Sequence, residues 1–173
     1  MTVLGAILAG GRSSRFGSDK AVALLRGERL VDLARKALAG QCDEVVVIGR
    51  AGGVPDWPKS GLGPLGGIAG ALRHGKAAGH DLALTCGVDS VGLPGNLLKL
   101  LSPAPSYVMG QPVIGLWPIE ALPVLAERLA GSGSHSMRAF ADDINARSVD
   151  LNLPLANVNT RKDLAQLEQH DGL

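Results

Sequence analysis

Apolar and polar positions along this chain fall into blocks of two kinds. Residues 3–8 (VLGAIL) form a continuous apolar run of strand length, and residues 45–49 (VVVIG) form a second. Between them, residues 30–38 (LVDLARKAL) carry apolar side chains at helical spacing. The pattern predicts a strand, a helix and a parallel strand joined by a right-handed crossover. A Gly- and Pro-rich loop over 50–67 follows, then a helix from IAGALRHGKAAG and a third strand over 81–86 (DLALTC) that opens into GVDSVGLP. Pro94 suits the first position of a short helix, NLLKLL, which Pro103 and Pro105 close. Residues 113–117 (VIGLW) read as another strand, and PIEALPVLAERLA as a helix that Pro123 kinks or restarts. GSGSHSMRAFADDI starts a further helix, ARSVDL is an edge strand, and NVNTRKDLAQLEQH is a last helix with Thr160 available as its cap and Asp163 in its first turn. Strands alternating with helices predict a three-layer α/β/α sandwich, a Rossmann-like architecture that binds ligands beyond the carboxyl ends of its parallel strands.

Composition narrows the picture. A chain of 173 residues fits one domain, 1–173, with a sizeable core, and its apolar runs are interrupted well before a membrane span could form. Seventeen Lys and Arg against sixteen Asp and Glu leave a net charge of +1, so no global field attracts nucleic acid and any anion site has to be local. The few rings, Phe16, Trp57, Tyr107, Trp117 and Phe140, are too sparse for a base-stacking platform. Two cysteines, Cys42 and Cys86, read as buried thiols, and the opening MTVLGAILAGG reads as a core strand rather than a signal peptide. Both point to a cytoplasmic location without a membrane or nucleic-acid partner.

The strongest chemical signal is LAGGRSSRFGSDKA, residues 8–21. Directly after the first strand, Gly10, Gly11, Ser13, Ser14 and Gly17 let the chain turn tightly and aim successive N–H groups inward as an anion nest, while Arg12, Arg15 and Lys20 add positive charge. A triphosphate fits such a loop; a Gly-rich surface turn is the plainer alternative. GxxxxGK[ST] is absent, no GxGxxG follows the first strand, and the strand ending in Ile48, Gly49 and Arg50 lacks the acidic residue of a dinucleotide site. In GLGPLGGIAGAL, residues 61–72, Gly63, Gly66 and Gly67 allow close backbone approach, and a helix beginning near Leu65 offers amides at its N-terminus to a base or ribose, or else the glycines serve packing alone. Asp89, just past the third strand, is placed to give Mg²⁺ a hard oxygen ligand or to cap a helix. Asp19 has the same two readings, metal or Lys20 orientation against capping. Asn157 and Asn159 point to one side of an extended segment, suited to an acceptor substrate or a second metal contact, or else to an Asx turn that caps the last helix. Ser134, His135, Ser136 and Arg138 either receive a phosphorylated acceptor or cap a helix, and the four histidines have no metal-ligand spacing.

Taken in order, LAGGRSSRFGSDKA, GPLGGIAGAL, the aspartate after the third strand, QPVIGLW and NVNTRKDL resemble the molybdenum cofactor guanylyltransferase family, within the nucleotidyltransferases of the nucleotide-diphospho-sugar transferase fold. The resemblance implies transfer of GMP from Mg·GTP to the phosphate of molybdenum-bearing molybdopterin with release of pyrophosphate. It assigns Leu8, Ala9, Gly10, Gly11, Arg12, Ser13, Lys20, Asp56, Gly63, Pro64, Leu65 and Asp89 to the nucleotide and Arg15, Lys20 and Asp89 to catalysis. Asp89 takes the magnesium as well, and Asn157 and Asn159 the acceptor. Proteins that deliver the molybdenum cofactor become possible partners. Several positions depart from the family pattern. DTP is here Asp89, Ser90 and Val91, with the proline at Pro94, and HPT is Gln111, Pro112 and Val113. The paired arginines before the late helix are replaced by Ser134, His135 and Ser136, and the polar residue near the base by Gly49. A cytidylyltransferase or sugar-phosphate nucleotidyltransferase of the same fold, and a lapsed member that only binds nucleotide, are the competing readings.

Overall fold

The structure, a computed structural model, describes residues 1–11 and 17–170. Its strands are β1 (Val3–Leu8), β2 (Leu24–Leu25), β3 (Glu28–Arg29), β4 (Glu44–Ile48), β5 (Leu82–Gly87), β6 (Ser90–Val91), β7 (Ser106–Val108), β8 (Gln111–Pro118), β9 (Arg147–Val149) and β10 (Ala156–Asn157). The helices are α1 (Leu30–Ala39), α2 (Pro64–Ala78), α3 (Leu97–Leu101), α4 (Leu122–Ala130), α5 (Met137–Asp143) and α6 (Arg161–His170). The main sheet has the order β4-β1-β5-β8-β7-β9, in which β8 runs against the other five strands. The expected mostly parallel α/β/α sandwich is the observed fold.

Alternation along the central strands builds two cores. Val3 and Ile7 of β1 and Leu84 and Cys86 of β5 face Leu30, Ala34 and Leu38 of α1 and Leu97 and Leu101 of α3, and Leu164 and Leu167 of α6 pack on the same side. On the other face Ala83 and Trp117 meet Leu65, Ile68 and Leu72 of α2, Leu125 and Leu129 of α4, and Phe140 of α5. Trp117 is fully buried, so its indole N–H needs a partner, and it donates to Thr85 Oγ1 at 2.8 Å. Both cysteines are unpaired, and burial pushes the pKa of each thiol up to about 12, which leaves them as apolar filling.

Two local expectations need correction, and one strand has no forecast in the sequence. The loop over 50–67 ends earlier, because Pro64 starts α2 from a position where the missing N–H costs nothing. Pro94 does not begin a helix. Its carbonyl accepts from Leu97 N–H at 3.1 Å and from Gln41 Nε2 at 3.1 Å, and Gln41 Oε1 takes Leu98 N–H at 2.9 Å, so a residue in the turn just after α1 sets where α3 starts. The segment after Pro105 enters the sheet as β7, too short to show alternation. Pro123 marks a restart: a 3-10 turn, Ile119–Ala121, gives way to α4 with proline in its first turn. The edge strand and the capped last helix are found as expected, with Thr160 Oγ1 accepting from Asp163 N–H at 3.1 Å and the Asp163 carboxylate from Thr160 N–H at 2.8 Å. Among the described residues no helix is long and apolar enough to cross a membrane.

At the amino-terminal end of the sheet, His80 Nε2 and His74 Nε2 sit 2.8 and 2.9 Å from the two oxygens of Glu44, joining α2, the start of β5 and β4. The hydrogen bond from His80, and then that from His74, holds the Glu44 carboxyl below its ordinary value of 4.5. A lowered carboxyl stabilises the fold above that ordinary value and loses its effect as the pH falls through the lower folded-state value. The difference in urea midpoint between wild type and Glu44→Gln is therefore expected to be present above the ordinary carboxyl value and to shrink progressively as the pH is lowered beneath it. A gap that does not narrow on acidification would show that the clasp does not use the carboxylate charge.

Candidate active site

The parallel register ends three strands on one line: Leu8 of β1 pairs with Ile48 of β4 on one side and Gly87 of β5 on the other. The chain beyond each strand stays tied to its neighbour, with Ala9 N–H donating to the Ile48 carbonyl at 2.9 Å and Val88 N–H to that of Leu8 at 3.0 Å. Residues 9–11, 49–50 and 88–89 therefore converge on one rim. The closest approach is between Gly49 and Gly10. Gly49 has φ +79°, and a Cβ there would lie 2.7 Å from Gly10 Cα and 2.9 Å from Asp56 Oδ1.

Asp56 is carried to the rim by the loop before α2 and lies against this pair of glycines, its Oδ2 3.3 Å from where a Gly10 Cβ would be. Partial burial shifts its carboxyl upward from its ordinary value, as desolvation does to an anion. Opposite, Asp89 leaves β5 with its carboxylate folded back over Gly87, where a Cβ would collide with it. Lys20 Nζ reaches Asp89 Oδ2 at 3.3 Å; the two side chains are 17% and 28% exposed, so the pair is shielded yet reachable. Lys20 opens a 3-10 turn, Lys20–Val22, whose cap is Asp19, accepting Ala21 N–H at 3.1 Å. Arg50 grips the same Asp19 through both guanidinium nitrogens, at 2.9 and 2.7 Å.

Of the residues expected at a nucleotide, Leu8, Gly10, Gly11, Asp56, Gly63, Pro64 and Asp89 line one cleft of about 250 Å³, with Gly61, Gly67, Gly87 and Val113. Lys20 meets it through Asp89. Ala9 lines an adjoining cleft of about 680 Å³ on the β4 side with Gly11, Gly17, Ser18, Asp19, Gly49 and Arg50. The Leu65 side chain is fully buried in the α2 core, so only its backbone can face a ligand. Arg12, Ser13 and Arg15 lie outside the described residues. A groove of about 550 Å³ along the outer edge of β4 contains none of the expected residues. Of the two readings of Asp19, capping is the one with a bond to show, and its pairing with Arg50, residues 31 apart, has no local signature in the sequence. Ser136 likewise caps α5, accepting Ala139 N–H at 3.1 Å.

The MobA-like NTP transferase domain profile matches residues 5–147. The molybdenum cofactor guanylyltransferase of Acidiphilium cryptum is 33% identical over 94% of this chain and 92% of its own length, and that of Cereibacter sphaeroides 34% identical over 97% and 96%. The chain belongs to the MobA-like NTP transferase family. In structure this MobA-like chain is similar to molybdopterin-guanine dinucleotide biosynthesis protein A from Archaeoglobus fulgidus, with a TM-score of 0.75 and 19% identity over 97% of this chain and 98% of that one. It is also similar to 2-C-methyl-D-erythritol 4-phosphate cytidylyltransferase from Thermus thermophilus, with a TM-score of 0.61 and 15% identity over 97% and 98%. At those identities the likeness speaks to the fold, which both share with this MobA-like nucleotidyltransferase.

Asn157 and Asn159 are exposed with Val158 buried between them, so the two amides share the solvent side as expected. β10 pairs with β6, setting Asn157 beside Ser90, and Val158 N–H donates to the Asp89 carbonyl at 3.1 Å. The asparagine strip is thus bonded directly to the segment that carries Asp89.

Gly49→Ala tests the close approach. Gly52 has the same φ, +79°, with nothing within 4 Å of a built Cβ, and so isolates the backbone cost alone. Gly52→Ala is expected to lose about 1 kcal/mol in urea unfolding and Gly49→Ala about 2–3 kcal/mol. Equal losses would mean that residues 10 and 49 need no such proximity.

Proposed function

We propose that residues 1–173 act as one nucleotidyltransferase unit that moves GMP from Mg·GTP to the phosphate of a molybdopterin-type acceptor and releases pyrophosphate. The observation that carries this reading is the cleft at the end of β1, where a partly buried carboxylate, Asp56, stands at one side and a lysine-aspartate pair at the other. Guanine presents adjacent N–H donors at N1 and N2, and the Asp56 carboxylate is the acceptor that fits them, with Gly10, Gly63 and Pro64 flanking the base. The similarity to named guanylyltransferases over nearly the whole chain supports the same assignment.

The residues present fit magnesium. Among the described residues no group of three or more His, Cys, Asp and Glu side chains could hold a metal alone, but magnesium takes one or two carboxylates and completes its shell with substrate phosphates and water. Asp89, partly exposed and aimed over the end of β5, is the residue that would hold it. When bound, the ion supplies charge neutralisation to the phosphates. Lys20 then exchanges Asp89 for the phosphate chain, and Arg12, Ser13 and Arg15 belong to the loop expected to wrap it. An acceptor phosphate oxygen attacks the α-phosphorus, the bond to the bridging oxygen breaks, and pyrophosphate leaves with that oxygen. Lys20 and Arg15 offset the charge on the leaving group. The attacking phosphate is already ionised near neutral pH, so no general base is required. Asn157 and Asn159 face the acceptor side.

Pyrophosphate release measured with GTP, CTP, UTP and ATP, with and without molybdenum-bearing molybdopterin, tests the assignment; GTP with the acceptor is expected to dominate. CTP or UTP dominating would move the chain to a different transferase, and bound nucleotide without release would make it a lapsed member. Lys20→Ala is expected to lower kcat/KM by about 10²–10³-fold, the equivalent of about 3–4 kcal/mol, at unchanged melting temperature. Asp56→Asn is expected to cut kcat/KM for GTP by about ten- to a hundredfold, since a bond to a charged acceptor contributes about 1.5–3 kcal/mol. Wild-type preference for GTP in that variant would remove Asp56 from base recognition.

A further inference from the structure

Arg50 is part of none of the motifs read from the sequence, and yet it is the side chain that reaches from the end of β4 to the exit of the phosphate loop. Its backbone position is fixed by its neighbour, because Gly49 is pressed against Gly10 and its N–H donates to the Val54 carbonyl at 2.8 Å. From there the guanidinium takes both oxygens of Asp19, at 2.9 and 2.7 Å. Asp19 also caps the turn that starts at Lys20, through Ala21 N–H at 3.1 Å. The side chains of Arg50 and Asp19 are 31% and 50% exposed, and a pair so open to water contributes little to stability. Its consequence is orientation: a planar fork on a planar carboxylate fixes direction as well as distance, which one ammonium cannot do. Both the carboxylate and the guanidinium line the cleft on the β4 side of Gly11.

We propose that Arg50 is a positioning residue which acts through Asp19, holding the capped turn so that Lys20 projects across the rim toward Asp89 and the phosphates of a bound nucleotide. The inference rests on the nucleotidyltransferase reading given above. Lys20 is then poised by two arms, one on β4 through Asp19 and one on β5 through Asp89.

Calorimetric titration with Mg·GTP tests this without need of an acceptor. Arg50→Ala is expected to weaken binding about tenfold, and Arg50→Lys, which can reach only one oxygen, to recover part of the loss. The double variant Arg50→Ala with Asp19→Ala is expected to bind no more weakly than Asp19→Ala alone, and adding Arg50→Ala to Lys20→Ala is expected to cost less than about twofold. Melting temperatures are expected to move by no more than about 4 °C. Additive losses in both double variants would show that Arg50 touches the nucleotide itself, and wild-type affinity in Arg50→Ala would show that it does nothing for the site. Either outcome overturns the inference. A wild-type chain that binds none of the four nucleoside triphosphates overturns the nucleotidyltransferase reading, and this inference with it.

Discussion

Parallel pairing aligns the carboxyl ends of β4, β1 and β5, and almost every functional possibility of this chain follows from that alignment. With Leu8 between Ile48 and Gly87, the three following loops emerge side by side, and Ala9 and Val88 extend the ladder just far enough to keep them together. A slip of one residue in β1 would turn Ile7 out of its core and send residues 9–11 toward the opposite face. The two packed cores resist such a slip, because Val3 and Ile7 belong to one side of the sheet and Ala6 to the other. Hydrophobic alternation thus determines where the rim lies, and the rim determines which polar side chains can meet.

Charge at that rim is balanced locally, as a protein with a net charge of +1 requires if it is to attract a polyanion. Lys20 is held by Asp89 and Arg50 by Asp19, so the cations are arranged before a ligand arrives and neither is buried without a partner. The more exposed Arg50–Asp19 pair is worth about 0–1 kcal/mol, while Lys20 and Asp89, partly shielded yet reachable, are placed to exchange a carboxylate for a phosphate. Asp56 differs. Its carboxyl is pushed upward by burial against the glycine backbones, so a ligand bearing paired N–H donors gains more there than at an exposed carboxylate.

What the sequence disclosed and what it hid divide along the range of the interactions involved. β1, α1 and the capped start of α6 are set by residues within a few positions of each other, and periodicity or capping chemistry reveals them. The start of α3 depends on Gln41, which lies 57 residues before Leu98, and the local proline signal at residue 94 pointed elsewhere. β7 has three residues and enters the sheet because β8 and β9 flank it, which no local pattern encodes. The cleft was legible in part for the same reason: glycines after a strand announce an anion loop, whereas the Arg50–Asp19 pair and the Glu44 clasp join segments that only the fold brings together. His74 and His80 lack any ligand spacing in sequence, and the structure gives them a shared carboxylate.

The departures from the family pattern acquire a physical sense in this setting. Where the family reads DTP, this chain has Asp89, Ser90 and Val91, and the last two form β6 against β10. A proline at residue 91 would bring no N–H to that ladder and would restrict it to edge geometry. Without it, Ser90 pairs with Asn157 and the Asp89 carbonyl accepts Val158 N–H, so the asparagine strip is fastened to the very segment that bears the proposed metal carboxylate. The replacement of paired arginines at Ser134, His135 and Ser136 acts in the same direction, since Ser136 is committed to capping α5. Recognition of the acceptor, on the proposed reading, is therefore drawn toward β10 and the Asp89 segment, where geometry ties it to the reacting phosphate.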